Sequence, residues 1–360
     1  MVDGIPIRKL GDSGIRVPAI GIGCWGIGGP DDNLGMPMGW STANDDRSRA
    51  GLELAYSSGV RLFDTADVYG HGHSERLLGE LVGRVDRQEI VVTSKVGYFA
   101  GTAAHGYAPA HMRRQLEQSL ENLRTDHLDI YFFHQPDFGP DDRYLEPAIT
   151  AMRDFQRQGL VRAIGIRGPH RYAPQRLRAA PDGTKADKSA RFEFLFRRIE
   201  PQLLAVRDNL LTPSARSEAI FEFARREGCG VLINKSLGQG LLTSQTDRTS
   251  TYGPGDHRRR KRWFTAEGRE IVAQGFATLR GEIGERADPL RLALWCCLER
   301  SESAAVVVGF TSAAQVRANL TAASTRPSDA DIATARAVMA EVQMRLDQLG
   351  EVFVDELTHI

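Results

Sequence analysis

Four side chains able to hold or move a proton stand at the ends of three apolar runs. Asp64 and Tyr69 follow residues 60–63, Lys95 follows EIVVTS at 89–94, and His134 follows LDIYFF at 128–133. A lysine paired with an aspartate places positive charge beside a phenol and lowers its pKa, while an imidazole orients or hydrogen-bonds the reacting oxygen. The set describes a proton donor with Tyr69 at its centre. Singly, each residue has an ordinary explanation: Asp64 a loop cap, Tyr69 a packing aromatic, Lys95 a solvated strand end, His134 a core histidine. The chemistry needs all four in one place. Strands of a parallel α/β fold provide that, because their carboxyl ends share one mouth.

Such strands are legible along the whole chain. Residues 19–24, 61–64, 89–94, 128–133, 161–166, 203–206, 230–233 and 305–308 are short apolar runs bounded by loop residues, and they read as buried strands. Between them apolar residues recur at helical spacing, as with Met112, Leu116, Leu120 and Leu123 in 110–124. Asn44 or Asp45 can cap a helix running to about Ser57. This alternation predicts a single α/β domain over residues 1–360, a closed (β/α)8 TIM barrel in preference to an open sheet. Residues 5–17, folded about Gly11-Asp12-Ser13-Gly14, predict an N-terminal β-hairpin lid across one end, and helices complete the C-terminal part. Three stretches exceed a bare connection: 26–45, 181–200 and 243–265. The last carries GPGDHRRRKRWF, basic enough to touch a phosphate or to stay solvated.

The 46 basic and 46 acidic residues leave no net field to attract nucleic acid or an anionic membrane, so a small-molecule substrate is the expected partner. No membrane-length apolar run or signal peptide is visible, and no segment specifies an oligomer. Cys24, Cys229, Cys296 and Cys297 show no metal-ligand spacing, so no metal is expected. Cys296 and Cys297 suit a helix core, and reduced thiols suit a cytoplasmic protein.

The chain resembles the aldo-keto reductases, barrel enzymes that reduce aldehydes and ketones with NADPH. The resemblance rests on PIRKLGDSGIRVPAIGIGCW, FDTADVYGHGHSERLLGELV, TSKVG around Lys95, DIYFFHQPD around His134, LGQGLLT at 237–243, GPGDHRRR, and VVGFTSAAQVRANL at 307–320. It implies Tyr69 as general acid, Asp64 and Lys95 as the pair that lowers its pKa, and His134 as the imidazole that orients substrate. It also implies NADP as cofactor, with NAD the other candidate. Its contacts would come from Trp25, from Arg167 and Asp208, from Leu237, Gln239, Gly240 and Leu242, and from Gly309, Thr311, Ser312, Gln315 and Asn319. The nicotinamide floor departs from the family pattern. Arg167 and Gly168 stand where the family has Ser-Asn, Ala205 where it has Gln, and Asp208 where it has the ring-stacking Tyr. Lys235-Ser236-Leu237 replaces Ser-Pro-Leu, and Thr311 and Ser312 stand where a basic residue often meets the 2′-phosphate.

Three functions follow from these residues. The first is an NAD(P)H-dependent reductase or dehydrogenase. The second is a cofactor-independent lyase, dehydratase or isomerase that uses the same four residues, with Arg167, Asp208 and Lys235 binding the substrate. The third is a sensor that keeps the fold without the chemistry. Arg167 and Asp208 could also pair with each other and leave a neutral floor. Trp25, Trp40, Phe99, His105 and Tyr107 are candidates for the substrate mouth.

Overall fold

A computed structural model of the chain describes residues 4–33, 35–169, 188–243 and 251–350. Twelve strands occur in it: β1 (Ile7–Lys9), β2 (Arg16–Pro18), β3 (Ile20–Gly23), β4 (Asp32–Asn33), β5 (Met36–Pro37), β6 (Leu62–Asp64), β7 (Val91–Val96), β8 (Leu128–Phe133), β9 (Val161–Arg167), β10 (Leu203–Arg207), β11 (Gly230–Asn234) and β12 (Ala304–Gly309). The helices are α1 (Asp45–Ser57), α2 (His73–Val82), α3 (Pro109–Leu123), α4 (Leu145–Arg157), α5 (Lys188–Ile199), α6 (Ser214–Arg226), α7 (Ala266–Ile283), α8 (Pro289–Leu298), α9 (Ala313–Ser324) and α10 (Asp329–Gln348). Eight of the strands close into a parallel barrel, β3-β6-β7-β8-β9-β10-β11-β12 and back to β3, so every run read as a strand takes its place there. Such strands must be apolar on both faces, because helices cover one side and the barrel interior the other.

Side chains alternate along each strand, and the alternation sorts them into two cores. Leu62, Val91, Ile130, Phe132, Ala163, Leu203, Ala205, Leu232, Ala305 and Val307 pack inside the barrel. Phe63, Val92, Tyr131, Ile164, Leu204, Val206, Val231, Ile233 and Val308 face the helices. The interior is tight: a Cβ on Gly165 would come 2.2 Å from the Phe132 ring, so the large Phe requires the Gly beside it. Asn44 caps α1 by accepting from the Arg47 N–H at 3.0 Å, and Asp45 and Asp46 place negative charge in the first turn.

The hairpin β1–β2 closes the amino end of the barrel, opposite the mouth. Leu10, Ile15 and Val17 enter the interior core there, and Gly11 bridges to Cys229 just ahead of β11. Residues 188–199 of the stretch read as an excursion are the barrel helix α5, and 181–187 lie outside the described residues. Among the described residues no helix is long and apolar enough to cross a membrane.

Candidate active site

Counting by two toward the carboxyl end of each strand brings the interior row to its last member at the mouth. These members are Gly23, Asp64, Lys95, His134, Arg167, Arg207, Asn234 and Gly309, and all line one cavity of about 1250 Å³. Lys95 lies within β7, which runs two residues past the expected end. Its Nζ donates to both Asp64 oxygens at 2.8 Å and to the Thr65 carbonyl at 2.5 Å. The Thr93 hydroxyl donates to Asp64 Oδ1 at 2.6 Å. Lys95 Nζ is 5.0 Å from the Tyr69 ring centroid, and the His134 ring stands edge-on to Tyr69 at 6.0 Å. Thus Asp64, Tyr69, Lys95 and His134 come together.

Burial raises the Tyr69 phenol above its ordinary value, and Lys95 pulls it back only in part. The expectation of a net lowered phenol therefore gives way to one that keeps its proton, because desolvation outweighs the neighbouring cation. Burial also works against the Lys95 charge, but Asp64 and Tyr69 overcome it and hold the ammonium above its usual value. His134 is driven well below the usual imidazole value by burial, then by Lys95, Arg167 and Lys235. It is neutral, and its buried Nδ1 has no hydrogen-bond partner among the described residues.

Residues 19–340 match the family model described as the Aldo/keto reductase family. The chain belongs to that family. Among curated relatives it is 28% identical over 359 residues to the NADH-specific methylglyoxal reductase of Escherichia coli (strain K12), covering 93% of this chain and 98% of that one. It is 26% identical over 323 residues to the L-galactose dehydrogenase of Arabidopsis thaliana, covering 88% of each. Two solved structures share its fold at 21% identity. A glycerol dehydrogenase from Gluconobacter oxydans has a TM-score of 0.70, with 94% of this chain and 96% of that one covered. An aldo-keto reductase from Bacillus halodurans has a TM-score of 0.64, with 98% of each covered. The family and the relatives' names support an oxidoreductase.

Against the aldo/keto reductase pattern, the floor differs from the sequence expectation, first at Asp208. Asp208 follows Arg207 and therefore points outward. It is 1% exposed and paired with Arg300 at 2.6 Å, away from the cavity. Arg167 does not pair with it; its Nη1 donates to the Tyr98 hydroxyl at 2.9 Å. Arg207 and Asn234 are the floor residues that sequence matching missed, and the two-residue period from Ala205 and Leu232 finds both. Tyr98 was also missed; its ring meets His134 at 4.7 Å, and no periodic signal marks it. Leu242 is fully buried in a separate apolar cluster, outside the cavity. Ser312 is not in the lining either; it caps α9 by accepting from the Gln315 N–H.

Trp25, Leu237, Gln239, Gly240, Gly309, Thr311, Gln315 and Asn319 do line the cavity. Trp40 lines it too, whereas Phe99, His105 and Tyr107 stand outside the lining, and Tyr107 is fully buried. The basic loop is tied down across the mouth. Asp256 takes the Ser41 N–H at 3.0 Å and pairs with Arg258 at 2.7 Å, and His257 accepts from or donates to Gln239 at 2.7 Å. Lys261 is buried and donates to Gln239 Oε1. The cavity exceeds the range of about 300–1,000 Å³ common for one small ligand, leaving room for a dinucleotide and a substrate together. With Lys261 and Arg260 lining it, its chemistry suits phosphates, so the residues present fit the dinucleotide at its phosphate-bearing part.

Proposed function

We propose that the protein is an NAD(P)H-dependent carbonyl oxidoreductase with Tyr69 as its general acid and base. The observation carrying this reading is the buried Asp64–Lys95 pair set against Tyr69, with a neutral His134 beside it in a cavity of dinucleotide size. The reduced dinucleotide supplies a hydride when bound. Trp25, Leu237, Gln239, Gly240, Lys261, Thr311, Gln315 and Asn319 would hold it, with NADP the cofactor favoured by family resemblance and NAD by the name of the Escherichia coli relative.

The chain's own residues handle the proton. Tyr69 Oη gives it to the carbonyl oxygen as negative charge develops there, and its raised pKa keeps that proton available at neutral pH. Lys95 stabilises the phenolate left behind, and Asp64 holds the ammonium in place. Neutral His134 both donates and accepts, so it can hydrogen-bond the carbonyl oxygen without competing as an acid. The four unpaired cysteines fit a reducing compartment such as the cytoplasm.

A second reading, a non-redox enzyme on this barrel, is favoured by Arg167 and Ala205 at the amide floor; the Gly168 N–H there is already given to the Ala205 carbonyl at 2.9 Å. Titration with NADPH and NADH, followed by turnover of a panel of aldehydes and ketones, decides between them. Saturable dinucleotide binding with carbonyl-dependent oxidation supports the oxidoreductase. A protein that binds neither dinucleotide removes it.

A further inference from the structure

Lys95 and Tyr69 reach the mouth from different elements, Lys95 from β7 and Tyr69 from the loop between β6 and α2, so their separation has to be set by something that holds both. The first turn of α2 does so. Ser74 donates its backbone N–H to the Tyr69 carbonyl at 3.2 Å and its hydroxyl to the Cys24 carbonyl at 2.8 Å. With that proton committed, the Thr65 hydroxyl is the donor of its 2.9 Å bond to Ser74 Oγ, and the Thr65 carbonyl is the one that takes the Lys95 ammonium. Glu75 reaches the other flank. It accepts from the hydroxyl of Ser94, the residue before Lys95, at 2.7 Å, and from Asn122 Nδ2 of α3 at 3.1 Å.

An acid in a helix's first turn serves its own helix dipole from the surface. Glu75 is instead 1% exposed and turned onto β7, and Thr65, Ser74 and Ser94 are fully buried. The helix carrying it has no room to shift, since a Cβ on Gly79 of α2 would come 2.0 Å from the Asn122 carbonyl oxygen. Asp67, in the same loop as Tyr69, has both carboxyl oxygens buried without a hydrogen-bond partner among the described residues. Burial first, and Glu75 second, push its carboxyl well above the usual value, so it keeps its proton. Burial raises Glu75 as well, but the Ser94 and Asn122 donors oppose it. Of these two carboxyls, Glu75 is therefore the one equipped to carry charge behind Lys95.

We propose that Glu75 is a positioning residue for the reaction: through Ser94 on one flank and its neighbour Ser74 on the other, it fixes Lys95 against Tyr69. It touches neither substrate nor dinucleotide. This rests on the oxidoreductase reading and deepens it, since only a reaction that uses Tyr69 and Lys95 together depends on their separation.

The test is steady-state reduction of a carbonyl by NADPH at 25 °C, with NADPH affinity measured separately by fluorescence and melting curves recorded for each variant. Glu75→Ala should lower kcat by about 10- to 100-fold, the effect of misplacing a reacting group by about 1 Å, with KM and NADPH affinity unchanged. Ser94→Ala removes only the bond to β7 and should lower kcat by about 3- to 10-fold, the worth of one hydrogen bond. Glu75→Gln keeps an acceptor for Ser94 and should restore most of the rate. Losing the negative charge eases departure of the phenol proton, so its alkaline limb should move to lower pH. Parental kcat in both Glu75→Ala and Ser94→Ala would overturn the proposal and leave the oxidoreductase reading intact. So would losses that track the unfolded fraction, or that fall on KM or NADPH affinity instead of kcat. A parent protein that binds no dinucleotide would remove that reading and this role with it.

Discussion

Replacing Lys95 by Met separates what the Asp64–Lys95 pair does for stability from its proposed part in catalysis. Lys95 is 5% exposed and Asp64 8%, and the ammonium makes both of its carboxylate contacts at 2.8 Å. Removing one partner of a buried pair strands the other charge at a cost of about 3–5 kcal/mol. For 360 residues the unfolding entropy is about 0.75 kcal/mol per degree, so the melting temperature should fall by about 4–7 °C. The catalytic loss has another origin. A unit charge 5.0 Å from the phenol ring, at an effective dielectric constant near 20, stabilises the phenolate by about 3 kcal/mol, or about two powers of ten in rate. Asp64→Asn added to Lys95→Met removes the stranded charge while Thr93 still bonds the side chain. The double variant should regain most of the lost stability and none of the rate. Calorimetric melting and steady-state reduction test this together. A single variant melting within about 1 °C of the parent, or a double variant no more stable than the single, would refute the electrostatic account.

Three further outcomes are expected. Tyr69→Phe should lower the reduction rate by about 10² to 10⁴ with an unchanged melting temperature, and a variant with full turnover would remove Tyr69 from the chemistry. Because burial raises the Tyr69 value and depresses that of His134, reduction should be level from about pH 6 to about pH 8 and fall only as pH rises through the phenol's value. An inflection that follows His134, tested by His134→Gln, would contradict this. Arg300→Met should destabilise the fold by about 3–5 kcal/mol by stranding Asp208, yet leave dinucleotide affinity unchanged; weakened affinity would return Asp208 to the floor.

The barrel was legible because parallel strands buried on both faces leave uninterrupted apolar runs, and all eight runs became strands. The gathering of Asp64, Lys95 and His134 at one mouth was legible because all three break those runs abruptly with charge or imidazole. The floor was harder. Arg207 and Asp208 are adjacent and both ionisable, and residue matching alone chose Asp208. Strand parity chooses Arg207, since Leu203 and Ala205 face inward while Leu204 and Val206 face the helices. The net direction of the Tyr69 shift was not legible, because it depends on how deeply the phenol is desolvated, which a linear sequence does not carry. Helix α5 was obscured because residues 181–187 before it lack a helical pattern of their own.

The hairpin plug has a consequence for synthesis. Gly11 leaves the ribosome more than two hundred residues ahead of its bridging partner Cys229. At about 5–20 residues per second, Leu10, Ile15 and Val17 wait roughly ten to forty seconds for the floor of the barrel they fill. The segment is thus made well before the strands that bury it. Holding it back, by a chaperone or a competing peptide, would leave the barrel open at its amino end while the mouth had already begun to form.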